Sequence, residues 1–166
     1  MSIGSVIEMK CKLLMVVNVD WFLISHRLPI ALAALKEGYD VHLACRFTGQ
    51  QDYLKSLGFI IHEVPFSRAG VSMINEFKTC FSILRLLRRL RPDVIHTITI
   101  KPSLYVGIMA RALGMKELII AVSGLGLVFV STAGFALLRK WIVELLYKTA
   151  INPKHTRLIF QNKTDL

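Results

Sequence analysis

The stretch Leu118–Leu138, LIIAVSGLGLVFVSTAGFALL, carries no charged residue and is about as long as a membrane-spanning helix. A hydropathy window flags it as a span, and the 54% hydrophobic composition and mean hydropathy of +0.52 give that reading weight. Its interior argues for something else. Leu118-Ile119-Ile120-Ala121-Val122 is a β-type run, Ser123-Gly124-Leu125-Gly126 breaks it, and Ser131, Thr132 and Gly134 follow. The order is that of a strand, a glycine loop and the start of a helix. Before it, Met1–Lys12 holds two lysines and a glutamate with no long apolar core, so no cleavable signal peptide is expected and a cytoplasmic location follows.

Working outward from this stretch, short β-branched runs alternate with longer helical patterns. Strands are expected at Lys12–Asn18, Val41–Cys45, Phe59–Val64, Asp93–Thr97, Leu118–Val122 and Arg157–Gln161. Helices are expected over Ser25–Lys36, with Ser25 as N-cap and Gly38 as stop, and over Gln51–Leu57, ended by Gly58. Further helices are expected at Ser72–Leu90, ended by Pro92, at Ser103–Leu113, ended by Gly114, and from about Gly134 to Thr149. In the Ser72–Leu90 helix, Ile74, Phe77, Phe81, Leu84 and Leu87 recur at three- and four-residue steps as an apolar row. This alternation implies right-handed βαβ units: a Rossmann-like three-layer α/β domain with a parallel sheet of about six to seven strands covered on both faces. At 166 residues the chain is the size of one domain, and such a domain buries roughly 70% of its unfolded surface. No linker or internal repeat divides it.

The three cysteines, Cys11, Cys45 and Cys80, form no CxxC pair, and the five histidines have no metal-ligand spacing. Buried thiols are expected in place of a disulfide framework or a zinc site. The net charge of +10 favours an anionic partner, whether nucleic acid, an acidic membrane surface or a phosphorylated substrate. Charge alone does not choose among these.

Ligands of open parallel sheets bind beyond the carboxyl ends of the strands. After the first strand, Asn18-Val19-Asp20-Trp21-Phe22 leads into a helix whose first turn is expected to hold His26 and Arg27, where N–H groups and a guanidinium suit a phosphate or a sugar hydroxyl. Helix capping and a surface location are the alternative for His26. The GxGxxG of a dinucleotide-binding turn is missing here. After the fourth strand, Lys101 precedes Pro102 at a helix start, placed for a phosphate or diphosphate unless it is only a solvated lysine. His96 lies within that strand and reads as a packed, hydrogen-bonded core histidine. The small residues of Ser123-Gly124-Leu125-Gly126 let backbone N–H groups approach a ligand, or simply turn the chain. Arg85, Arg88, Arg89 and Arg91, with Lys78 upstream, crowd beside the apolar row of their helix. That combination suits an anionic membrane surface or a solvated basic face.

Four ordered segments together resemble the N-terminal domain of bacterial family 4 glycosyltransferases. They are Ser25-His26-Arg27-Leu28-Pro29-Ile30-Ala31 running into Gly38–His42, Asp93–Ser103 followed by Gly107 and Ala110-Arg111, Val122–Phe129, and Leu158–Asp165. The resemblance implies one half of a GT-B fold over residues 1–166, with the C-terminal donor-binding domain and its glutamate pair absent. It assigns acceptor binding to Asp20, His26, Arg27 and Lys101, and the edge of the donor cleft to Ser123, Gly124, Leu125 and Gly126. It leaves catalytic residues unassigned: related enzymes carry a histidine further along the loop where this chain has Ile98 and Ile100. It further implies a nucleotide-sugar donor of the UDP-sugar type, no metal or other cofactor, and an acceptor saccharide on a polyprenyl diphosphate. Arg85, Arg88, Arg89 and Arg91 would then face the inner leaflet of the plasma membrane, with the domain peripheral on its cytoplasmic side.

Three functional classes follow. The first is the acceptor half of a hexosyl- or N-acetylhexosaminyltransferase of polysaccharide synthesis, inactive alone. The second is a non-catalytic membrane-associated subunit that pairs with a separately encoded donor-binding domain. The third, a nucleic-acid module, rests on charge only; no groove-reading motif or basic-aromatic interleaving is present, and no nucleic-acid partner is expected.

Overall fold

The computed structural model describes residues 10–67, 73–115, 117–122, 149–151 and 155–160. Strands β1 (Lys12–Val19), β2 (Asp40–Arg46), β3 (Ile60–Glu63), β4 (Val94–Ile98), β5 (Leu118–Val122) and β6 (Thr156–Phe160) form one sheet in the order β3-β2-β1-β4-β5-β6. All five neighbouring pairs are parallel. The chain order reverses direction between β1 and β4, the place where such sheets open a ligand crevice. The expected Rossmann-like parallel sheet is what the chain forms, with six strands among the described residues.

Alternation along β1 divides the core. Leu13, Met15 and Val17 meet Leu23 of helix α1 (Asp20–His26), Ala31 of α2 (Leu28–Lys36) and Leu54 of α3 (Gln51–Ser56). Leu14 and Val16 point to the other face, toward Ile83 and Leu87 of α4 (Met73–Leu90) and Val106 and Ala110 of α5 (Ile100–Ala112). Both sides of β1 are thus apolar, the pattern of a central strand covered on two faces. Leu118 and Ile120 of β5 pack with the α4–α5 layer, and Ala121 with the opposite one. No helix among the described residues is long and apolar enough to cross a membrane, and the part of the opening stretch that is described is strand β5.

Two helices differ from the sequence expectation. The single helix predicted from Ser25 is divided: α1 begins at Asp20, ends at His26, and hands over at Arg27 (φ −131°, ψ −9°) to α2. Pro29 is the cause, because it has no N–H for the carbonyl of Ser25 and its ring crowds that turn. Ser25 is therefore no N-cap; its hydroxyl donates within α1 to the carbonyls of Trp21 (2.9 Å) and Phe22 (3.3 Å). Helix α5 starts at Ile100, three residues before the expected Ser103, so Lys101 and Pro102 lie inside its first turn.

The expected apolar row of α4 is split, its first three members turned from the core, Leu84 half-buried and Leu87 in the core. Ile74, Phe77 and Phe81 are 68%, 72% and 67% exposed, while Thr79, Ile83 and Leu87 are buried. Thr79 sets this rotation by donating its hydroxyl to the carbonyl of Pro65 at 2.8 Å. Glu76 holds the same side of the helix against α5.

Candidate functional site

The carboxyl ends of β1 and β4 lie side by side, since Met15 and Val16 pair with His96 and Thr97. Asp20 follows β1 directly and is fully buried. Its carboxylate accepts bonds from Trp21 N (2.8 Å), Thr48 N (2.6 Å), Thr48 Oγ1 (2.6 Å) and Gln50 N (3.2 Å). Burial alone would raise its pKa, but the donors from Thr48, Gln50 and Trp21 outweigh it and hold the group below the ordinary carboxylate range. Asp20 thus ties the loop after β1 to the loop after β2.

His26 and Arg27 stand at the α1–α2 junction, not in the opening turn of a single helix. The His26 ring is exposed, stacks on Phe22 at 4.3 Å between centroids, and its Nδ1 lies 2.6 Å from Ser25 Oγ. Arg27 is half-buried, and desolvation lowers the pKa of its guanidinium. His96 is buried within β4, where burial first and the Arg27 charge second depress its pKa to about 4. It is therefore a neutral imidazole at physiological pH. Its Nε2 is buried and has no hydrogen-bond partner among the described residues.

Lys101 points back to α4. Its ammonium lies 2.8 Å from Glu76 Oε1, and the Tyr105 hydroxyl donates to Glu76 Oε2. Burial pushes the Glu76 carboxyl up, but bonds from Lys101 and Tyr105 and the Lys101 charge bring it below its usual range. Lys101 is thus neither free nor merely solvated, and it approaches the strand-end crevice as one arm of an α4–α5 clasp.

Two residues that no sequence signal singled out mark the crevice. Thr99 caps α5 with φ 73° and ψ 161°, a conformation that costs a β-branched residue about 1–3 kcal/mol. Its hydroxyl is buried without a partner among the described residues, and so is the Asn18 side-chain oxygen near the end of β1. A strained residue and buried polar atoms without described partners thus gather at the adjacent ends of β1 and β4. Ser103 anchors the strained turn, accepting or donating at 3.1 Å with Thr97 Oγ1 and donating to the Thr99 carbonyl at 2.7 Å.

Ser123, Gly124, Leu125 and Gly126 lie outside the described residues. On α4, Arg85, Arg88 and Arg89 are exposed, as is Arg91 just beyond it, and Phe77 and Phe81 open to solvent on the same helix. No group of three His, Cys, Asp or Glu with metal-binding geometry occurs among the described residues.

A family model described as glycosyl transferase 4-like matches residues 12–162. The chain belongs to that family. Its fold is that of an N-terminal domain of the family 4 type, one half of a GT-B architecture. An Escherichia coli protein, UDP-Gal:alpha-D-GlcNAc-diphosphoundecaprenol alpha-1,3-galactosyltransferase, is 27% identical over 130 residues, 78% of this chain and 32% of that protein. Acinetobacter baumannii MurG superposes with a TM-score of 0.58 at 16% identity, covering 89% of this chain and 45% of that one. The glycosyltransferase VinC in complex with dTDP gives 0.56 at 14% identity, over 90% of this chain and 49% of that one. A UDP-N-acetylglucosamine 2-epimerase gives 0.56 at 11%, over 85% and 39%. That last likeness shows how the fold recurs under another reaction, so family membership rests on the sequence match. The chain spans about a third of the E. coli relative and less than half of each of these structures.

Proposed function

We propose that this family 4 domain is the acceptor-binding half of a glycosyltransferase that moves a sugar from a nucleotide-sugar donor to a polyprenyl-diphosphate-linked saccharide. The galactosyltransferase relative, named for a diphosphoundecaprenol acceptor, carries this reading. On it, His26, Arg27 and Lys101 border the acceptor, the Ser123–Gly126 loop borders the donor, and a donor-binding half supplied in cis or in trans holds a UDP-sugar. Asp20 acts behind them by fixing the loop, since its four bonds all go to protein. No metal is needed on this reading, because helix dipoles and basic side chains of the donor-binding half would stabilise the departing diphosphate.

A lipid-linked acceptor is met at a membrane surface, and α4 has the chemistry for one. Phe77 and Phe81 offer apolar rings, and Arg85, Arg88 and Arg89 follow further along the same helix to meet anionic headgroups. The domain would then be peripheral on the cytoplasmic face of the plasma membrane. Flotation with phosphatidylglycerol-containing vesicles tests this arrangement. Phe77→Ser/Phe81→Ser should lose most of the vesicle-bound fraction, and Arg85→Gln/Arg88→Gln should make binding weaker and more salt-sensitive. Equal flotation of wild type and both variants would remove α4 from the membrane.

A further inference from the structure

Between the C-terminal half of α4 and the α4-side face of strands β1, β2 and β3 lies a cavity of about 580 Å³. That volume is in the range of small-molecule sites. Sheet register builds its floor. Ala44 pairs with His62 and His42 with Ile60, so the two imidazoles occupy the same face of neighbouring strands, offset by one pleat repeat. His42 Nδ1 lies 2.9 Å from His62 Nε2, and the rings stack at 5.2 Å between centroids. Lys12 enters from β1, and Arg85 and Arg89 from α4; Glu63 on the exposed rim is the acid that lines it.

The chemistry of the pair is specific. With both rings neutral, one of the facing nitrogens donates and the other accepts, leaving the two outer nitrogens as one donor and one acceptor. A single added proton goes to the outer acceptor. The central bond survives, and both outer nitrogens become donors. A second proton would set two N–H groups against each other and break the contact. The singly protonated pair is therefore a two-pronged donor with one positive charge, placed among three permanent cations. Around it, Asp40 on β2 favours the proton on His42 and Lys12 opposes it; Arg89 on α4 and His42 itself oppose a proton on His62, and burial opposes both. Without an anion the pair is held neutral below its ordinary titration range, and an anion in the cavity reverses that balance.

We infer that this cavity binds a phosphate ester, with Lys12, Arg85 and Arg89 supplying charge and the His42–His62 pair supplying hydrogen-bond donors. The phosphate comes either from a soluble ester or from a lipid headgroup reached along α4. Neither Phe77 nor Phe81 lines the cavity, but Arg85 and Arg89 serve both this site and the membrane reading above, so the coupled shifts of His42 and His62 are the readout that belongs to the cavity alone.

The test follows the histidine ring-proton resonances of the whole chain while inorganic phosphate is added at pH 6 and at pH 8. His42 and His62 should shift together and saturate, with tighter binding at pH 6 because binding takes up a proton. Arg85→Gln/Arg89→Gln, placed on exposed positions so that folding is retained, should weaken binding about tenfold. A parallel sedimentation assay with phosphatidylglycerol vesicles at the two pH values assigns the source. If vesicles show the pH-dependent, Arg89-dependent binding and free phosphate does not, the ligand is a headgroup; saturable shifts with free phosphate assign a soluble ester. No shift and no pH-dependent vesicle binding, or shifts unchanged in the arginine variant, would overturn the site.

Discussion

The ammonium of Lys101 lies 2.8 Å from Glu76 Oε1, and this contact joins the first turn of α5, at the strand-end crevice, to the first turn of α4. The helix that carries the exposed phenylalanines is thereby coupled to the turn that presents Thr99 and Lys101. Glu76 is the less exposed partner, at 15% against 35% for Lys101, so losing the carboxylate is the greater injury. Glu76→Gln should cost about 1–2 kcal/mol, less than the removal of a fully buried charge partner because Lys101 keeps access to water. The native pKa of Glu76 lies below the ordinary 4.5, so the stability it contributes is present above that value and fades as pH falls through the native one. Urea titrations at pH 7 and pH 3.5 check this: the difference between wild type and Glu76→Gln should shrink at the lower pH.

His96 gives the opposite kind of group with the same sign of pH dependence. It is buried neutral with a pKa of about 4, so the unfolded chain takes up a proton near its ordinary 6.5 and the native chain does not. Stability from this group is full above pH 6.5 and declines between 6.5 and 4, by up to about 3 kcal/mol. His42 and His62, also lowered, add to the same slope. In chemical denaturation between pH 7 and pH 5, His96→Phe should lose a measurable part of the wild-type decline; an unchanged slope would show that His96 titrates normally.

Gly107 makes α5 approach residue 150 closely. A Cβ built there lies 2.7 Å from Ala150 Cβ and 3.2 Å from its carbonyl oxygen, with main chain behind it. Gly107→Ala should therefore destabilise the domain by about 1–3 kcal/mol despite the better helix propensity of alanine. Thermal unfolding provides the measurement, and an unchanged or raised Tm would mean that the Thr149–Ala150 segment yields without cost.

The alternation of β-branched runs and helical patterns made the sheet and its two-sided burial legible, because a central parallel strand such as β1 must be apolar on both faces. Local signals were enough for Gly38, Gly58 and Gly114, each observed with positive φ after a helix. The division at Arg27 had its signal in Pro29, outweighed by the longer apolar pattern around it. The rotation of α4 had none. Its sequence offers two apolar faces, and the choice between Phe77/Phe81 and Ile83/Leu87 was made by Thr79 bonding Pro65 and by Glu76 meeting Lys101, contacts between segments far apart in the chain. For the same reason the pairing of His42 with His62 emerges only from the β2–β3 register, and the strained turn at Thr99 only from the backbone. Of the candidate residues, the strand-end positions of Asp20 and Lys101 were readable in advance. Their partners, Thr48 and Glu76, were not.

The reading of this domain as the acceptor half of a lipid-linked saccharide glycosyltransferase is tested most directly by transfer itself. The chain would be combined with a donor-binding half of the same family, incubated with radiolabelled UDP-sugars and a polyprenyl-diphosphate saccharide, and label counted in the lipid phase with and without EDTA. The account predicts label only when both halves are present, undiminished by EDTA, and reduced at least tenfold by Arg27→Ala or Lys101→Ala in folded protein. Absence of lipid label with every UDP-sugar tried, from a complex shown to assemble and to bind donor, would contradict it.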